Sequence, residues 1–171
     1  MAAISKGASN AKRTATNNKD AATNKNNKRT ATNKNNKGAT RGIRNNNPLN
    51  IRHSTNKWQG MATHQTDKAF VQFTARKYGY RAAFVLIRNY IGLHHANTIG
   101  KIIARWAPSS DGNNTQSYIN FVSKTSGIKA DTPLQFANQK SMVSIVRSMA
   151  QMESAIIEDE KLLNEAYCMA L

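Results

Sequence analysis

A single glutamate, Glu153, lies on the apolar stripe of the last helix that the sequence predicts. The stripe repeats at steps of 4, 3, 4 and 3 through Met142, Val146, Met149, Glu153 and Ile156. A carboxyl group on a packing face loses hydration, which favours its protonated form and suits it to general-acid chemistry. The alternative is that the packed stripe ends at Met149 and Glu153 faces water at a fraying helix end. The spacing leaves both interpretations open.

The four histidines do not form a metal-binding motif. His94 and His95 are adjacent and point in different directions from a helix, while His53 and His64 lack the HExxH spacing. The sequence also lacks a Gly-rich turn between a strand and a helix that would hold a phosphate. We therefore predict neither a metal nor a cofactor.

Two amphipathic patterns predict the helices that form the core. The stretch from Arg81 to Ile91 is apolar on nearly every side, as expected for a helix through the centre of a domain. The next stripe has the spacing i, i+3, i+4 and i+7, in Ile99, Ile102, Ile103 and Trp106. On this pattern Trp106 is a core residue.

The remaining helices are predicted from their end signals. A third helix is capped at 114–115 and ends at Gly127. A hydroxyl residue before Pro133 is a helix-start signal, and helix formers run from about Gln139 to near the C-terminus. The acidic run 158–160 then forms a solvated helical face.

The segment before these helices has the composition of turns and short strands. RNNNPLNIR at 44–52 reads as a turn followed by an extended piece, because Pro48 disfavours helix at the preceding residue. KWQG at 57–60 and KAFVQF at 68–73 are separated by polar residues, which predicts a small β-hairpin with Asp67 at its shoulder. The fold class is therefore mainly α (α+β).

The positive charge is concentrated at the N-terminus. Of 25 Lys and Arg residues, eleven lie in residues 1–44 beside one acid, Asp20, so this part carries +10 of the net +16. KRTATN occurs at 12–17 and again at 28–33. Such a repeat buries too little apolar surface to offset its ordering entropy. We expect a disordered basic tail over 1–40 and a folded domain over 41–171.

The positive charge of the tail predicts binding to a polyanion but does not indicate which polyanion is bound. Coulomb attraction and counterion release act equally on DNA, RNA, teichoic acid and lipopolysaccharide. No aromatic residue lies among the basic positions to stack on bases. A solubilising linker is the alternative.

Length and hydropathy exclude several classes of protein. At 171 residues, with one cysteine and three prolines, the chain is too short for a multidomain enzyme and lacks the composition of a disulfide scaffold or collagen. The longest apolar run, 82–87, has six residues, against about 18 for a membrane span. The first residues lack the apolar core of a secretory signal, so we expect delivery by another route. We expect a monomer.

Seven motifs in order resemble one family over about Arg41 to Ala155. They are RGIRNNNPLNIR, WQG, KAFVQF, YGYRAAF, IIARWAPSS, NNTQSYI and MAQMES. This order resembles the phage-encoded, virion-associated lytic proteins of the lysozyme superfamily, and it is similar to the bacterial glucosaminidases and lytic transglycosylases. The resemblance implies a lysozyme-like helical domain.

The order of the motifs differs from that of the bacterial relatives in one respect. There a helix ending Ala-x-x-x-Glu-Ser-Gly precedes the other motifs, whereas the similar AQMES of this chain follows them. We therefore expect a circular permutation that supplies the same helix from the C-terminal side. Ser154-Ala155 replaces the usual Ser-Gly or Asn-Gly, and PSSDGNNT departs from the usual acidic-Asn-x-Thr pattern.

The resemblance implies that the substrate is the β-1,4 glycan strand of peptidoglycan and that Glu153 is the catalytic acid. A two-carboxylate hydrolase needs a partner, for which we favour Asp67 over Asp111, with Asp131 remote. A lytic transglycosylase needs none, and Tyr118 resembles the tyrosine that such enzymes place beside the sugar near their glutamate, which implies that Tyr118 contacts the substrate. Ordinary turn formation by Asp67 and core packing by Tyr118 are the alternatives.

Four polar and aromatic side chains near the turn and the first predicted strand are expected to contact the substrate. Asn47, Asn50, Trp58 and Gln59 are predicted to line the sugar groove through amide hydrogen bonds and stacking. The predicted function is a phage or prophage peptidoglycan-cleaving glycosidase, found in the virion or in the host cytoplasm before release to the wall. The alternative is a non-catalytic phage structural protein that binds nucleic acid or another polyanion through its tail.

Overall fold

The computed structural model describes residues 39–171, and in this range the protein is mainly helical, as predicted. Six α-helices follow in chain order: α1 (Arg41–Arg44), α2 (Arg76–His94), α3 (Ile99–Trp106), α4 (Thr115–Ser126), α5 (Gln139–Ser154) and α6 (Glu160–Cys168). A short 3-10 helix, Ser109–Asp111, lies between α3 and α4. The disordered tail predicted over 1–40 lies outside the described range except for residues 39 and 40. Within that range no helix is long and apolar enough to cross a membrane.

The core is built where the apolar faces of the helices meet. Helix α5 packs on α4, and α2 packs on α6. Phe84 and Ile87 of α2 are fully buried, as the all-round apolar pattern of this helix requires. The Phe84 ring meets Tyr167 of α6 edge to face at a centroid distance of 5.5 Å.

The segment between α1 and α2 contains no paired β-strands, so the predicted β-hairpin is not formed. It holds two isolated antiparallel bridges, Arg52 with Phe70 and Met61 with Phe73. Side-chain amides take some of the backbone groups there: Gln65 accepts from the Gln72 amide at 2.7 Å and donates to the Gln72 carbonyl at 2.8 Å. Asn47 donates to the carbonyls of Ile51 and Val71 at 2.9 and 2.8 Å and accepts from the Ile51 amide at 2.9 Å.

The long last helix that the sequence predicts is broken in two. Helix α5 ends at Ser154, and the capping residue Ala155 adopts the left-handed conformation at φ 54° and donates its N–H to the Gln151 carbonyl. Asp159 then caps α6 by accepting from the Lys161 amide at 2.8 Å. The expected start at Pro133 is also wrong: α5 is capped by Asn138.

The acidic run 158–160 is not a solvated face, because its first member is buried. Glu158 is 5 % exposed and forms an ion pair with Arg76 of α2 at 2.9 Å. Burial, followed by the charge of Glu158, raises the pKa of Tyr80 on the same helix. This carboxylate therefore fixes the link between α5 and α6 against α2.

The beginning of the described domain packs against the end of α5. Thr40 donates its hydroxyl to the Ser154 carbonyl at 3.0 Å, and the buried Ser154 hydroxyl donates to the Pro48 carbonyl at 2.7 Å. A Cβ at Gly42 of α1 would lie 1.9 Å from that hydroxyl oxygen. The helix that carries Glu153 is therefore held at its C-terminus by residues 40–48.

Two glycines of α2 differ in their surroundings and test the position of residues 45–50, here called the asparagine segment. A Cβ at Gly79 would lie 2.4 Å from the Asn46 carbonyl oxygen, whereas one at Gly92 would meet nothing within 4 Å. Gly92→Ala should stabilise the domain by about 0.5–1 kcal/mol, because alanine restricts the unfolded chain and favours helix. Gly79→Ala should destabilise it by about 1–3 kcal/mol, because backbone must move. Urea denaturation measures both, and equal effects would contradict the close approach.

Candidate active site

Glu153 lies in the last turn of α5, at the edge of the core rather than in open water. Met142, Val146 and Met149 of the predicted stripe are fully buried, and Glu153 is half-buried. Its carboxylate is reached by three donors from three different segments. The two interpretations that the spacing left open are thus decided in favour of a packed, hydrogen-bonded carboxylate.

The three donors divide unequally between the two carboxylate oxygens. Oε1 accepts from Trp106 Nε1 at 3.1 Å and from the Tyr118 hydroxyl at 3.0 Å. Oε2 accepts from Asn50 Nδ2 at 3.1 Å. All three donors are uncharged side chains, so the carboxylate is oriented without a salt bridge.

Asn50 reaches Glu153 because of its backbone conformation. Its φ of 50° lies in the left-handed region, which asparagine tolerates better than most residues. From there Nδ2 also lies 3.3 Å from the Glu153 carbonyl oxygen and helps to close the C-terminal end of α5. One side chain therefore fixes both the backbone and the carboxylate of Glu153.

Trp106 and Tyr118 are placed by the loop that follows α3. Trp106 is the last residue of α3, and Tyr118 lies in the first turn of α4, whose cap Asn114 accepts from the Ser117 amide at 3.0 Å. Tyr118 is 5 % exposed. Burial, followed by the negative charge of Glu153, raises the pKa of the Tyr118 phenol, so this hydroxyl stays a neutral donor.

A cavity of about 470 Å³ opens in front of Glu153. Its size is within the range of small-molecule sites. Both aromatic and polar side chains line it, as expected of a site for a polar ligand with apolar faces. Together with Glu153, the cavity is lined by Asn50, Arg52, Trp58, Phe70, Tyr90, Trp106 and Asp111, among others.

Asp67, predicted as the second carboxylate, lies in an ion pair and does not line this cavity. Arg41 donates to both of its oxygens at 2.6 Å, and Asn45 donates to Oδ2 at 2.8 Å. The amides of Ala69 and Phe70 also donate to it. The Arg41 guanidinium, followed by the Asn45 amide, holds the pKa of Asp67 well below its usual range. The geometry gives this carboxylate a structural role in holding the loop.

The predicted sugar contacts separate into two groups. Asn50 and Trp58 line the cavity, and Tyr118 lies behind it as a donor to Glu153. Asn47 is fully buried, with its amide committed to backbone groups, and Gln59 is exposed outside the cavity lining. The structure thus brings Glu153, Asn50, Trp58 and Tyr118 together and leaves Asn47 and Gln59 apart.

Sequence reasoning missed the role of Trp106, which it placed in the core. The residue is half-buried, lines the cavity and donates to Glu153. One signal was available: an indole N–H needs an acceptor when it is packed, and Trp106 ends its helix instead of lying within it. Arg52 and Asp111 also line the cavity.

The described residues offer no cluster of three or more histidine, cysteine or acidic side chains for a metal. The chemistry that the arrangement can perform is proton transfer from one oriented carboxyl group to a ligand bound in the cavity. Asp111 is a second, exposed acid on the cavity wall.

Comparison with known proteins finds one clear similarity. Protein P5 of Pseudoalteromonas phage PM2 is 36 % identical over 119 residues, which are 68 % of this chain and 72 % of that protein. No protein-family model matches the chain. An identity of this size over most of both chains shows common descent with a phage protein.

The contact between Tyr118 and Glu153 predicts an alkaline loss of stability. Because the folded-state pKa of Tyr118 is raised above the ordinary value of 10.0, its contribution is complete below pH 10 and is lost as pH rises above it. The free energy of unfolding of Tyr118→Phe should therefore fall less steeply above pH 10 than that of the unaltered chain, by up to about 1.4 kcal/mol per pH unit. Urea denaturation at pH 8 and at pH 10.5 to 11 measures both slopes. Parallel slopes would contradict the buried phenol.

Proposed function

The chain belongs to the family of Protein P5 of Pseudoalteromonas phage PM2, which indicates a phage or prophage origin. We propose that it is a glycosidase. Its substrate is the β-1,4 glycan strand of peptidoglycan, and Glu153 is the general acid. The observation that supports this most directly is the half-buried Glu153 carboxylate, held by three neutral donors on the wall of a cavity of about 470 Å³.

The acidic proton of Glu153 belongs on Oε2. A carboxyl group carries its proton on one oxygen, and Oε1 already accepts from both Trp106 and Tyr118. Oε2 accepts only from Asn50. In this arrangement the Glu153 proton is directed away from the two aromatic donors and is available to the glycosidic oxygen of a strand in the cavity.

The same donors assist after the proton has left. When the glycosidic bond breaks, Glu153 becomes a carboxylate, and hydrogen bonds to an ionised acceptor are stronger than those to a neutral one. Trp106, Tyr118 and Asn50 therefore stabilise the charge that develops on Glu153 as the sugar gains oxocarbenium character. The carboxylate can then act as the base of the second step.

The second step follows one of two routes. In a lytic transglycosylase the muramyl 6-hydroxyl attacks and Glu153 takes its proton, with no second carboxylate. In a hydrolase water attacks, and Asp111 is then a better placed partner than Asp67, because Asp111 lines the cavity and Asp67 is paired with Arg41.

The sugar rings would lie against the aromatic wall. Trp58, Tyr90 and Trp106 all line the cavity, and the Tyr90 and Trp106 rings meet edge to face at a centroid distance of 6.5 Å. Sugar faces stack on such rings while their hydroxyls bond to polar neighbours. The lysozyme-like, circularly permuted helical domain and the delivery to the wall by a virion are parts of this same proposal.

A second role concerns the tail. Residues 1–44 hold eleven of the 25 basic residues and one acid. A stretch of this charge binds polyanions with a strong dependence on salt. A non-catalytic phage structural protein that holds nucleic acid is therefore the alternative, and it predicts salt-sensitive DNA binding that disappears when residues 1–40 are deleted, without any release of wall fragments.

Glu153→Gln should abolish the clearing of a suspension of purified cell walls, with a loss of at least about a hundredfold, because the amide cannot donate the proton. The matched control is Glu165→Gln, which removes an exposed carboxylate that pairs only with Lys77 in the described part of the chain. This control should retain full activity. Circular dichroism and thermal melting of both variants show whether the fold is kept.

Mass spectrometry of the released fragments identifies the reaction. Ends of the 1,6-anhydromuramyl type mean a transglycosylase, reducing muramic acid means a lysozyme, and reducing glucosamine means a glucosaminidase. Equal clearing by Glu153→Gln and the unaltered chain would disprove the assignment of the acid. The absence of any soluble fragment would favour the structural alternative.

Asp67→Asn tests the role that the geometry gives to the other predicted acid. Removing the charge leaves Arg41 without its partner in the described residues, so the melting temperature should fall. The fragments released from walls should keep their chemical identity. A fully stable variant with no activity would instead make Asp67 a catalytic residue.

A further inference from the structure

One cation on the cavity wall, Arg52, has no partner within the described residues. Ion pairs in this range join Arg41 to Asp67, Arg76 to Glu158 and Lys77 to Glu165. The Arg52 guanidinium makes none, and no hydrogen bond to it is formed by residues 39–171. It lines the same cavity as Glu153.

The exposed Arg52 side chain lies beside the Phe70 ring, over which the Arg41 guanidinium also lies at 4.5 Å. The Arg52 guanidinium carbon lies 5.3 Å from the centroid of the Phe70 ring, and the backbones of Arg52 and Phe70 form an antiparallel bridge. Phe70 also lines the cavity. Stacking on an aromatic face orients the planar guanidinium and leaves its N–H groups free to bind a planar anion.

The acid of the same segment cannot neutralise this cation. Both oxygens of Asp67 are taken by Arg41, and Asn45 and two backbone amides donate to them as well. Asp111 and Glu153 also line this cavity, but neither forms an ion pair with Arg52 in the described residues. An arginine on a polar cavity wall whose N–H groups are not taken by these acids favours an anionic group of the ligand.

We propose that Arg52 binds a carboxylate of the substrate, so that the enzyme selects glycan strands whose muramyl residues carry a free carboxylate. This inference rests on the proposed function. The sugar rings of peptidoglycan are neutral, and its carboxylates belong to the muramyl substituent. On strands without a peptide the free carboxylate is that of the lactyl group, and on strands with a peptide the free carboxylates are those of the stem peptide. Both offer the planar, bidentate acceptor that a guanidinium matches.

The test uses binding, so that it does not depend on turnover. Full-length Glu153→Gln protein is sedimented with insoluble walls freed of teichoic acid, alone and with Arg52→Gln added. Charge-assisted hydrogen bonds are strong, so the added substitution should weaken wall binding about tenfold. Walls whose carboxylates have been converted to amides by carbodiimide and ammonia should bind both proteins equally.

Arg105→Gln is the matched control. Arg105 lies 5.3 Å from the centroid of Tyr90, the same separation as that of Arg52 from Phe70, but it does not line the cavity. Its substitution removes one charge and one cation-π contact and should weaken binding less than about twofold. Equal losses in the two variants would overturn the proposal, as would a loss for Arg52→Gln that persists on amidated walls.

Two further arms identify the carboxylate and separate this inference from the proposed function. A tenfold effect that remains on amidase-stripped strands assigns the lactyl carboxylate, and one confined to peptide-bearing strands assigns the stem peptide. Wall cleavage by the chain with Glu153 intact is measured in parallel. Arg52-dependent binding without cleavage would refute the glycosidase and keep the carboxylate site, whereas cleavage with Arg52-independent binding would do the reverse.

Discussion

The Glu153 carboxylate is half-buried, and an arrangement of this kind is stable only if its lost hydration is replaced. The replacement comes from Asn50, Trp106 and Tyr118, which belong to a loop, to the end of α3 and to the beginning of α4. None of these segments is adjacent to α5 in the chain. Three segments that are distant in sequence therefore meet at one side chain, and the hydrogen bonds that satisfy the carboxylate also orient it at the cavity.

The four asparagines of the asparagine segment donate hydrogen bonds to different partners. Asn45 donates to Asp67, Asn46 to the Phe73 carbonyl, Asn47 to two backbone carbonyls and Asn50 to Glu153. Asn46 and Asn50 have left-handed backbone conformations, whereas Asn45 and Asn47 do not have a positive φ. Composition predicts that the segment turns and carries amides near a groove, but backbone conformation decides which amide reaches the site. Asn47 and Asn50 were therefore indistinguishable in the sequence.

Much of the helical framework could be predicted, because apolar periodicity and end signals are local. Asn114 and Gly127 mark the ends of α4, and the stripe on α5 identifies Glu153. The break after α5 could not be predicted, because it depends on Ala155 adopting a left-handed conformation that an alanine does not signal. The burial of Glu158 was missed for a related reason: an acidic run looks solvated until Arg76 of a distant helix is packed against it. The sequence does not show which distant residue will pair with a given charged side chain.

The permuted, lysozyme-like ancestry that we propose makes a geometric demand of its own. If the motif-bearing block once followed the glutamate helix directly, the first residue of the block must still lie at the C-terminal end of that helix. Thr40 and Gly42 occupy this place, since Thr40 donates to the Ser154 carbonyl and a Cβ at Gly42 would collide with the Ser154 hydroxyl. The chain separates Thr40 from Ser154 by 114 positions. Their contact is what an ancestral peptide connection at this point would leave behind, and it ties the C-terminal end of α5 to residue 40.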